Sequence, residues 1–501
     1  MLPDNLGYLF ESTVRLAPER TAILQGDVAL TYGELDGRCN RMGGALRSLG
    51  AVPGTRVALL FNNDFRFLES LFGIMRIGAV AVPLNLRLGD DALAHVLADA
   101  EATVLLTNAA LAERAAMLRR RVPAVKEVVG GRDYEELLLA APPTLDRGTT
   151  AFGDICMQPY TSGSTGRPKG VLLTHGGQVW NADMMRKSLL VDETDRALVA
   201  VPLFHKNAMA GAVKPFLLSG GSLAILPAFE AVEVIRAIEK FRITYLTGVP
   251  AMYRMILAET ETLTRHDVTS VRYAVCGSAE VPDELLAEFQ RVFKAPIAES
   301  YGLTEGGPVP IFNTRWGMKK RGSCGREVPG SDVRLVGPGG ADVAPGETGE
   351  MWVRNPGLAA GYWKRPDETA ARFRDGWLRT GDLFRKDAEG YFYFLGRTDD
   401  MINVSGEKVY PKEVEDILLR HPDVRDACVV PAPHDSKGEV PIAFVVTRRP
   451  EITFEELKAF YLRHGAPYAY PRRIQFLEAL PLNGAGKTDR ATLKAKAREE
   501  P

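Results

Sequence analysis

The sequence predicts an α/β protein of at least two domains, and three observations carry that prediction. Its 501 residues exceed what one hydrophobic core normally serves. Short apolar runs of strand length alternate with longer stretches of helical period past residue 240, the pattern of parallel sheets covered by helices. From about 331 to 395 the pattern changes to short alternating runs separated by Gly/Pro turns, which suits a small β-barrel or antiparallel sheet.

Taken in order, Thr31-Tyr32-Gly33-Glu34 has capping-box form and opens a helix through Leu35, Met42, Leu46 and Leu49. Val57 to Phe61 reads as a buried strand, residues 64–77 as a helix, and Val80 to Val82 as extended. Val104 to Leu106, Val171 to Leu173 and Thr244 to Leu246 continue the strand series. The runs Val333 to Val336, Glu350 to Val353 and Tyr391 to Leu395 belong to the region of changed pattern. Residues 400–501 predict a helix near 412–420, strands near 427–430 and 442–447, a helix near 454–463 and a strand near 473–477.

Composition excludes several function classes. Hydrophobic content of 46% and charged content of 25% are those of a soluble globular protein, and a net charge of −1 gives no sign of a nucleic-acid partner. Cys39, Cys156, Cys276, Cys324 and Cys428 show no paired spacing, so neither a zinc site nor a disulfide framework is expected, and reduced thiols suit a cytoplasmic location. Met1 to Leu6 lacks the charge and apolar core of a signal peptide. The most apolar stretches are broken by Arg76 and Pro83, and by Lys214 and Pro215, so no membrane span is expected.

The most informative segment is Tyr160-Thr161-Ser162-Gly163-Ser164-Thr165-Gly166-Arg167-Pro168-Lys169-Gly170. Glycines let a backbone turn tightly and bring N–H groups to an anion; hydroxyls add donors, and Arg167 and Lys169 add positive charge. That is chemistry for a polyphosphate. It is not a Walker A loop, because Pro168 stands where Gly-Lys-Ser/Thr would begin. The same composition serves flexible linkers, but the flanking apolar runs and the basic pair argue against one.

This segment resembles the phosphate-binding signature of the AMP-forming adenylating superfamily, which includes acyl-CoA synthetases, amino-acid adenylation domains and beetle luciferases. Four further motifs resemble that family and follow its order: Tyr301-Gly302-Leu303-Thr304-Glu305, Thr380-Gly381-Asp382, Gly396-Arg397-Thr398-Asp399-Asp400 and Pro481-Leu482-Asn483-Gly484-Ala485-Gly486-Lys487. The likeness runs from about residue 20 to the end of the chain. It implies a large N-terminal domain, residues 1–398, of two doubly wound sheets plus a small β-barrel. A small mobile α+β C-terminal domain, 399–501, would turn about Asp399.

Site roles follow from the resemblance. Thr161, Ser162, Gly163, Ser164, Thr165, Gly166 and Lys169 would form a loop that holds the ATP phosphates, with Lys169 on the pyrophosphate side. Ser278, Ala279, Glu280, Ser300 and Gly302 would bind ATP or AMP, and Tyr301 would lie against the adenine ring. Thr304 would donate to the α-phosphate, and Glu305 would hold Mg²⁺, since hard cations prefer carboxylate oxygen. Asp382 would accept the ribose diol and Arg397 would add charge beside it. Lys487 would bridge the acyl carboxylate and the α-phosphate during adenylation. Ser405, Gly406, Glu407 and Lys408 would form the face that admits coenzyme A in the second step.

The acyl pocket would be lined by His205, Lys206, Asn207, Gly248, Val249, Pro250 and Gly277. His205 stands where amino-acid adenylating relatives carry an Asp for the α-ammonium, so a fatty or aromatic acid without an α-amino group is expected. Lys206 and Asn207 depart from the apolar lining of a long alkyl tunnel; a polar substituent, a second carboxylate and plain solvent all remain open as their partners. Glu280 replaces the usual Pro. The expected partners are a small carboxylic acid, ATP and coenzyme A, and the resemblance leaves a homodimer open. An acid–CoA ligase leads. A subunit that loads a carrier protein, a luciferase-like oxygenase and a non-catalytic relative stand as alternatives.

Overall fold

The computed structural model describes residues 2–499, apart from 163–167, 278–280, 282, 316, 406, 435–436 and 483–487. Contacts divide the chain into two compact units: Met1–Val333 with Val353–Leu378, and Arg334–Trp352 with Arg379–Pro501. Asp399, the expected hinge, lies within the second unit.

The first unit contains two large sheets. The eight-stranded sheet is built around the parallel strands Arg56–Leu60, Val80–Pro83, Val104–Thr107 and Glu127–Val129. Ile155–Met157 and Pro168–Thr174 continue it, and Tyr160–Ser162 folds back on the latter. The nine-stranded sheet is centred on Ser222–Ile225, Arg196–Val199, Tyr245–Gly248, Tyr273–Gly277 and Ile297–Tyr301, each parallel to its neighbour.

Both sheets are covered on both faces, which explains why their strands read as unbroken apolar runs. Successive side chains alternate between faces. Val57 and Leu59 thus enter one core while Ala58 and Leu60 enter another, with the helices Asp90–Asp99 and Ala112–Arg121. Likewise Ala197 and Val199 face the first core, and Leu198 faces the helices Ala231–Phe241, Pro250–Ala258 and Asp283–Phe293. The first core is common to both sheets and to the helices Tyr32–Ser48, Phe65–Arg76 and His175–Leu189. Each fully buried Leu, Ile or Phe in it contributes about 1.5–3 kcal/mol.

The capping box at Thr31 and Glu34 forms as the spacing predicts, with both reciprocal hydrogen bonds. The helix it opens lies against Phe65–Arg76 at backbone distance. A Cβ on Gly73 would stand 2.7 Å from Met42 Cβ and 2.9 Å from the Cys39 carbonyl oxygen.

The runs of changed pattern, mostly in the second unit, form a sheet in the order Asp332–Val336, Thr348–Arg354, Trp377–Lys386, with Phe392–Arg397 antiparallel to the last. A further sheet pairs the long strands Val424–His434 and Gly438–Thr447, which extend past the expected 427–430 and 442–447. Ile402–Val404 joins it, Arg473–Phe476 lies parallel to Gly438–Thr447, and Glu407–Val409 pairs with Ile402–Val404. One face carries the helices Pro411–Leu419 and Phe454–His464. The other carries Arg490–Glu499, a helix that the pattern reading misses because its buried residues are only Leu493 and Ala497.

Gly73→Ala should lower stability by about 1–3 kcal/mol, since neither facing helix backbone can yield to the added methyl. Chemical denaturation checks this, and an unchanged unfolding midpoint contradicts the tight crossing.

Candidate active site

Four adjacent parallel strands of the nine-stranded sheet end at one edge, with Val199, Gly248, Gly277 and Tyr301 as their last residues. In open α/β sheets, ligands bind outside such carboxyl ends. Gly248 pairs with Cys276 and Gly277 with Ser300, so residues expected on the acyl and adenine sides stand side by side. A Cβ on Gly277 would lie 2.7 Å from Ser300 Oγ, which accounts for glycine there. Val249 caps the helix that Pro250 opens, a position where the missing N–H costs nothing.

The segment after Val199 returns across this edge. His205 Nδ1 accepts the Asn207 N–H at 3.2 Å and caps the short helix Lys206–Ala208; in the neutral ring the proton then sits on Nε2. Asn207 Oδ1 accepts the Thr247 hydroxyl at 2.5 Å, and its Nδ2 lies 3.5 Å from the Gly248 carbonyl oxygen. Lys206 Nζ donates to the carbonyl of Gly302, so its ammonium turns toward the Tyr301–Glu305 motif and not out to solvent. A π-helical stretch, Met209–Val213, follows before the helix Lys214–Ser219, and such stretches concentrate at functional sites.

The loop from Gly302 to Gly307 lies beyond the strand, and its carbonyls are held from outside. The Ala359 N–H donates to Glu305 O at 3.0 Å, Asn355 Nδ2 to Gly306 O at 3.0 Å, and Asn181 Nδ2 to Gly307 O at 3.0 Å. Gly307 adopts φ of +91°, the region that favours glycine, and a Cβ on Gly302 would fall 2.2 Å from the Pro308 carbonyl oxygen. The Tyr362 hydroxyl donates to Glu305 Oε1 at 3.0 Å.

Tyr362 also reaches the first motif. Its strand, Gly361–Tyr362, pairs with Pro168–Thr174. Lys169 lies on that same strand, paired with Thr161, and not in the loop where the sequence reading puts it. Its ammonium forms an ion pair with Glu368 and sits 6.0 Å from the centre of the Tyr362 ring.

In the second unit, Asp382 is buried opposite Arg397 in the antiparallel pair. Arg397 Nη1 donates to Asp382 Oδ1 at 3.1 Å while its Nε donates to Asp399 Oδ1 at 3.0 Å. One guanidinium therefore ties the expected ribose carboxylate to the expected hinge. The Thr380 hydroxyl, bonded to Met351 O at 2.7 Å, accepts the Asp382 N–H within the strand Trp377–Lys386. Ser405, with φ of +54°, lies between the paired strands Ile402–Val404 and Glu407–Val409, the second of which carries Glu407 and Lys408.

Gly163, Ser164, Thr165, Gly166, Ser278, Ala279, Glu280, Gly406 and Lys487 lie outside the described residues, as does the side chain of Ser162. Among the described residues no group of three or more His, Cys, Asp or Glu side chains could hold a metal. No described helix is long and apolar enough to cross a membrane.

The sequence reading misses Asn181, Lys214, Glu299, Asn355 and Tyr362. Only Lys214 carries a signal in the sequence, a lone cation within an apolar stretch. Burial pulls its ammonium down to about 7. Glu299, just before Ser300, is pushed up to about 7 by burial, against the lowering effect of the Val281 N–H, 3.4 Å from Oε1. A raised carboxyl means that the folded state holds its proton longer. Stability therefore falls as pH rises from about 4.5 to about 7, and the loss persists above that window. Glu299→Gln should accordingly raise stability by about 1–2 kcal/mol at about pH 8 and leave it unchanged near pH 4. Equal effects at both pH values in thermal denaturation would contradict a buried, titrating Glu299.

The AMP-binding enzyme family matches residues 10–363, and the AMP-binding enzyme C-terminal domain matches residues 413–487. A feruloyl-CoA synthase from Amycolatopsis sp. is 40% identical over 479 residues, covering 94% of this chain and 95% of that protein. An indoleacetate–CoA ligase from Aromatoleum aromaticum is 34% identical over 485 residues, covering 94% of each. Among solved structures, an anthranilate CoA ligase in complex with anthranoyl-AMP superposes with a TM-score of 0.92 at 29% identity, covering 99% of this chain and 98% of that one. ATP-bound MatB from Rhodopseudomonas palustris gives 0.91 at 27% identity, covering 99% of each. With its motifs in family order on this fold, the chain belongs to the AMP-binding enzymes, the AMP-forming adenylating superfamily.

Proposed function

We propose that this chain is an AMP-forming acid–CoA ligase whose acid is aromatic. One observation carries the choice of acid: Asn207 and Lys206 are tied into the strand edge by Thr247 and the Gly302 carbonyl. They form a polar wall where a long alkyl chain would need an apolar tunnel. The named activities of the feruloyl, indoleacetate and anthranilate relatives support the same choice. A long-chain fatty acid is the second reading, supported by a ligase from Bacillus subtilis that is 30% identical.

In the first step the acid carboxylate attacks the α-phosphorus of ATP, and pyrophosphate leaves. Two anions must meet, so fixed positive charge and donors are required where charge gathers. Lys487 bridges the two, Thr304 donates to the α-phosphate, and Lys169 faces the pyrophosphate. Tyr301 lies against adenine, and Asp382, backed by Arg397, takes the ribose hydroxyls. His205 gates the carboxylate. Glu305 suits Mg²⁺, which takes one or two carboxylates and completes its shell from phosphates and water, and which would neutralise phosphate charge there. In the second step the coenzyme A thiol attacks the acyl carbonyl and AMP leaves. The C-terminal domain turns about Asp399 between steps and presents Ser405 to Lys408.

Purified protein given ATP, Mg²⁺, coenzyme A and a panel of hydroxycinnamic, benzoic, indolic and fatty acids should release AMP and thioester fastest with an aromatic acid. Fatty acids as the best substrates would reverse the assignment. A thioester formed only on a carrier protein would replace coenzyme A as acceptor.

Lys487→Ala should slow acid-dependent pyrophosphate–ATP exchange by about 10²–10³, the usual cost of one positioned donor, while thioester formation from supplied acyl-AMP continues. Equal loss in both assays would contradict the role of Lys487.

A further inference from the structure

Lys214 lies on the helix Lys214–Ser219 with no solvent exposure. Its Nζ donates to Gln178 Oε1 at 2.8 Å and to Asn181 Oδ1 at 2.6 Å, both on the helix His175–Leu189. Among the described residues its partners are amides, and no carboxylate pairs with it. An ammonium buried without a counter-charge is costly, and a methionine would fill the same space more cheaply. Packing therefore does not explain the lysine.

Its effect on Asn181 does. Asn181 is also fully buried, and its amide is used at both ends: Oδ1 accepts from Lys214 while Nδ2 donates to Gly307 O at 3.0 Å. The flipped amide would set its NH₂ against the ammonium and its oxygen against the Gly307 carbonyl. Protonated, Lys214 thus permits only the orientation that holds Gly307, two residues after Glu305. The remaining support of that loop comes from Lys206, Asn355, the Ala359 N–H and Tyr362.

We propose that Lys214 is a positioning residue that locks Asn181 as the donor to Gly307, and through it fixes the loop carrying Thr304 and Glu305. The inference rests on the nucleotide-binding roles proposed for those two residues. Lys214 touches no substrate; it acts through one amide and one carbonyl.

Asn181→Asp separates this role from a general one in folding. The aspartate keeps its contact with Lys214, now as an ion pair, so the fold is retained. It loses the donor, however, and turns a second oxygen on the Gly307 carbonyl. The expected result is a near-normal melting temperature with pyrophosphate–ATP exchange slowed about 10- to 100-fold, KM for Mg-ATP raised and KM for the acid unchanged. The rise in melting temperature that Mg-ATP produces in the wild type should shrink in the variant, a readout independent of turnover. Lys214→Met, which frees the amide to flip, should show the same selective loss.

Wild-type KM for Mg-ATP in a folded Asn181→Asp protein would overturn the proposal. So would equal changes in both KM values, or failure of both variants to fold, since each would mark the pair as a structural support alone. A wild type without exchange on any acid would instead refute the ligase reading, a result visible before any variant is made.

Discussion

Parallel pairing is the constraint on which this structure depends. Hydrogen bonds between Arg196–Val199, Tyr245–Gly248, Tyr273–Gly277 and Ile297–Tyr301 oblige four chain segments to finish at one edge. Each must then leave through a turn, and those turns carry His205 to Asn207, Gly248 to Pro250, Gly277 and Tyr301 to Glu305. Residues scattered over a hundred positions in sequence become neighbours because register allows nothing else. The glycines mark where the approach is closest: at Gly277 the neighbouring Ser300 hydroxyl occupies the space a side chain would need.

Leaving the ladder has a cost, since a carbonyl without a partner loses water and gains nothing. Between Gly302 and Gly307 the chain meets this with four donors drawn from three distant segments: Lys206, Asn181, and Asn355 with Ala359. The loop is thereby set from outside rather than by its own sequence. The role proposed for Glu305 requires that the backbone beneath it does not drift, and these bonds restrain that backbone.

Much of the fold was legible in the sequence because its signals are local. The Thr31–Glu34 capping box, the runs at 57–61 and 104–106 and the helix at 454–463 each require only neighbouring residues to recognise. The motifs were legible for the same reason. What escaped the reading is long-range. Nothing around Asn355, Tyr362 or Asn181 indicates that their side chains reach the 305–307 loop, and the helix Arg490–Glu499 buries too little to show a periodic pattern. Lys214 is intermediate. It stood out as an interruption in an apolar stretch, but read alone it argued only against a membrane span. Lys169 was assigned to a loop because glycines surround it, whereas pairing with Thr161 draws it into a strand.

The two sheets of the first unit share the proposed chemistry unequally, and the Tyr301–Glu305 loop leaves the nine-stranded sheet beside the acid-side turns. The acid-side residues at 205–207, 248–250 and 277 belong to the nine-stranded sheet and its turns, while Lys169 and Tyr362 stand on the eight-stranded one. An enzyme organised in this way can evolve toward new acids by altering the turns at 205–207 and 248–250 while the loop at 301–305 and the eight-stranded sheet stay unchanged. Lys206 is the exception, since its bond to Gly302 ties acid choice to the nucleotide loop. Diversification that spares Lys206 would be nearly free of pleiotropy, whereas a lineage that replaces it must first find another donor for that carbonyl.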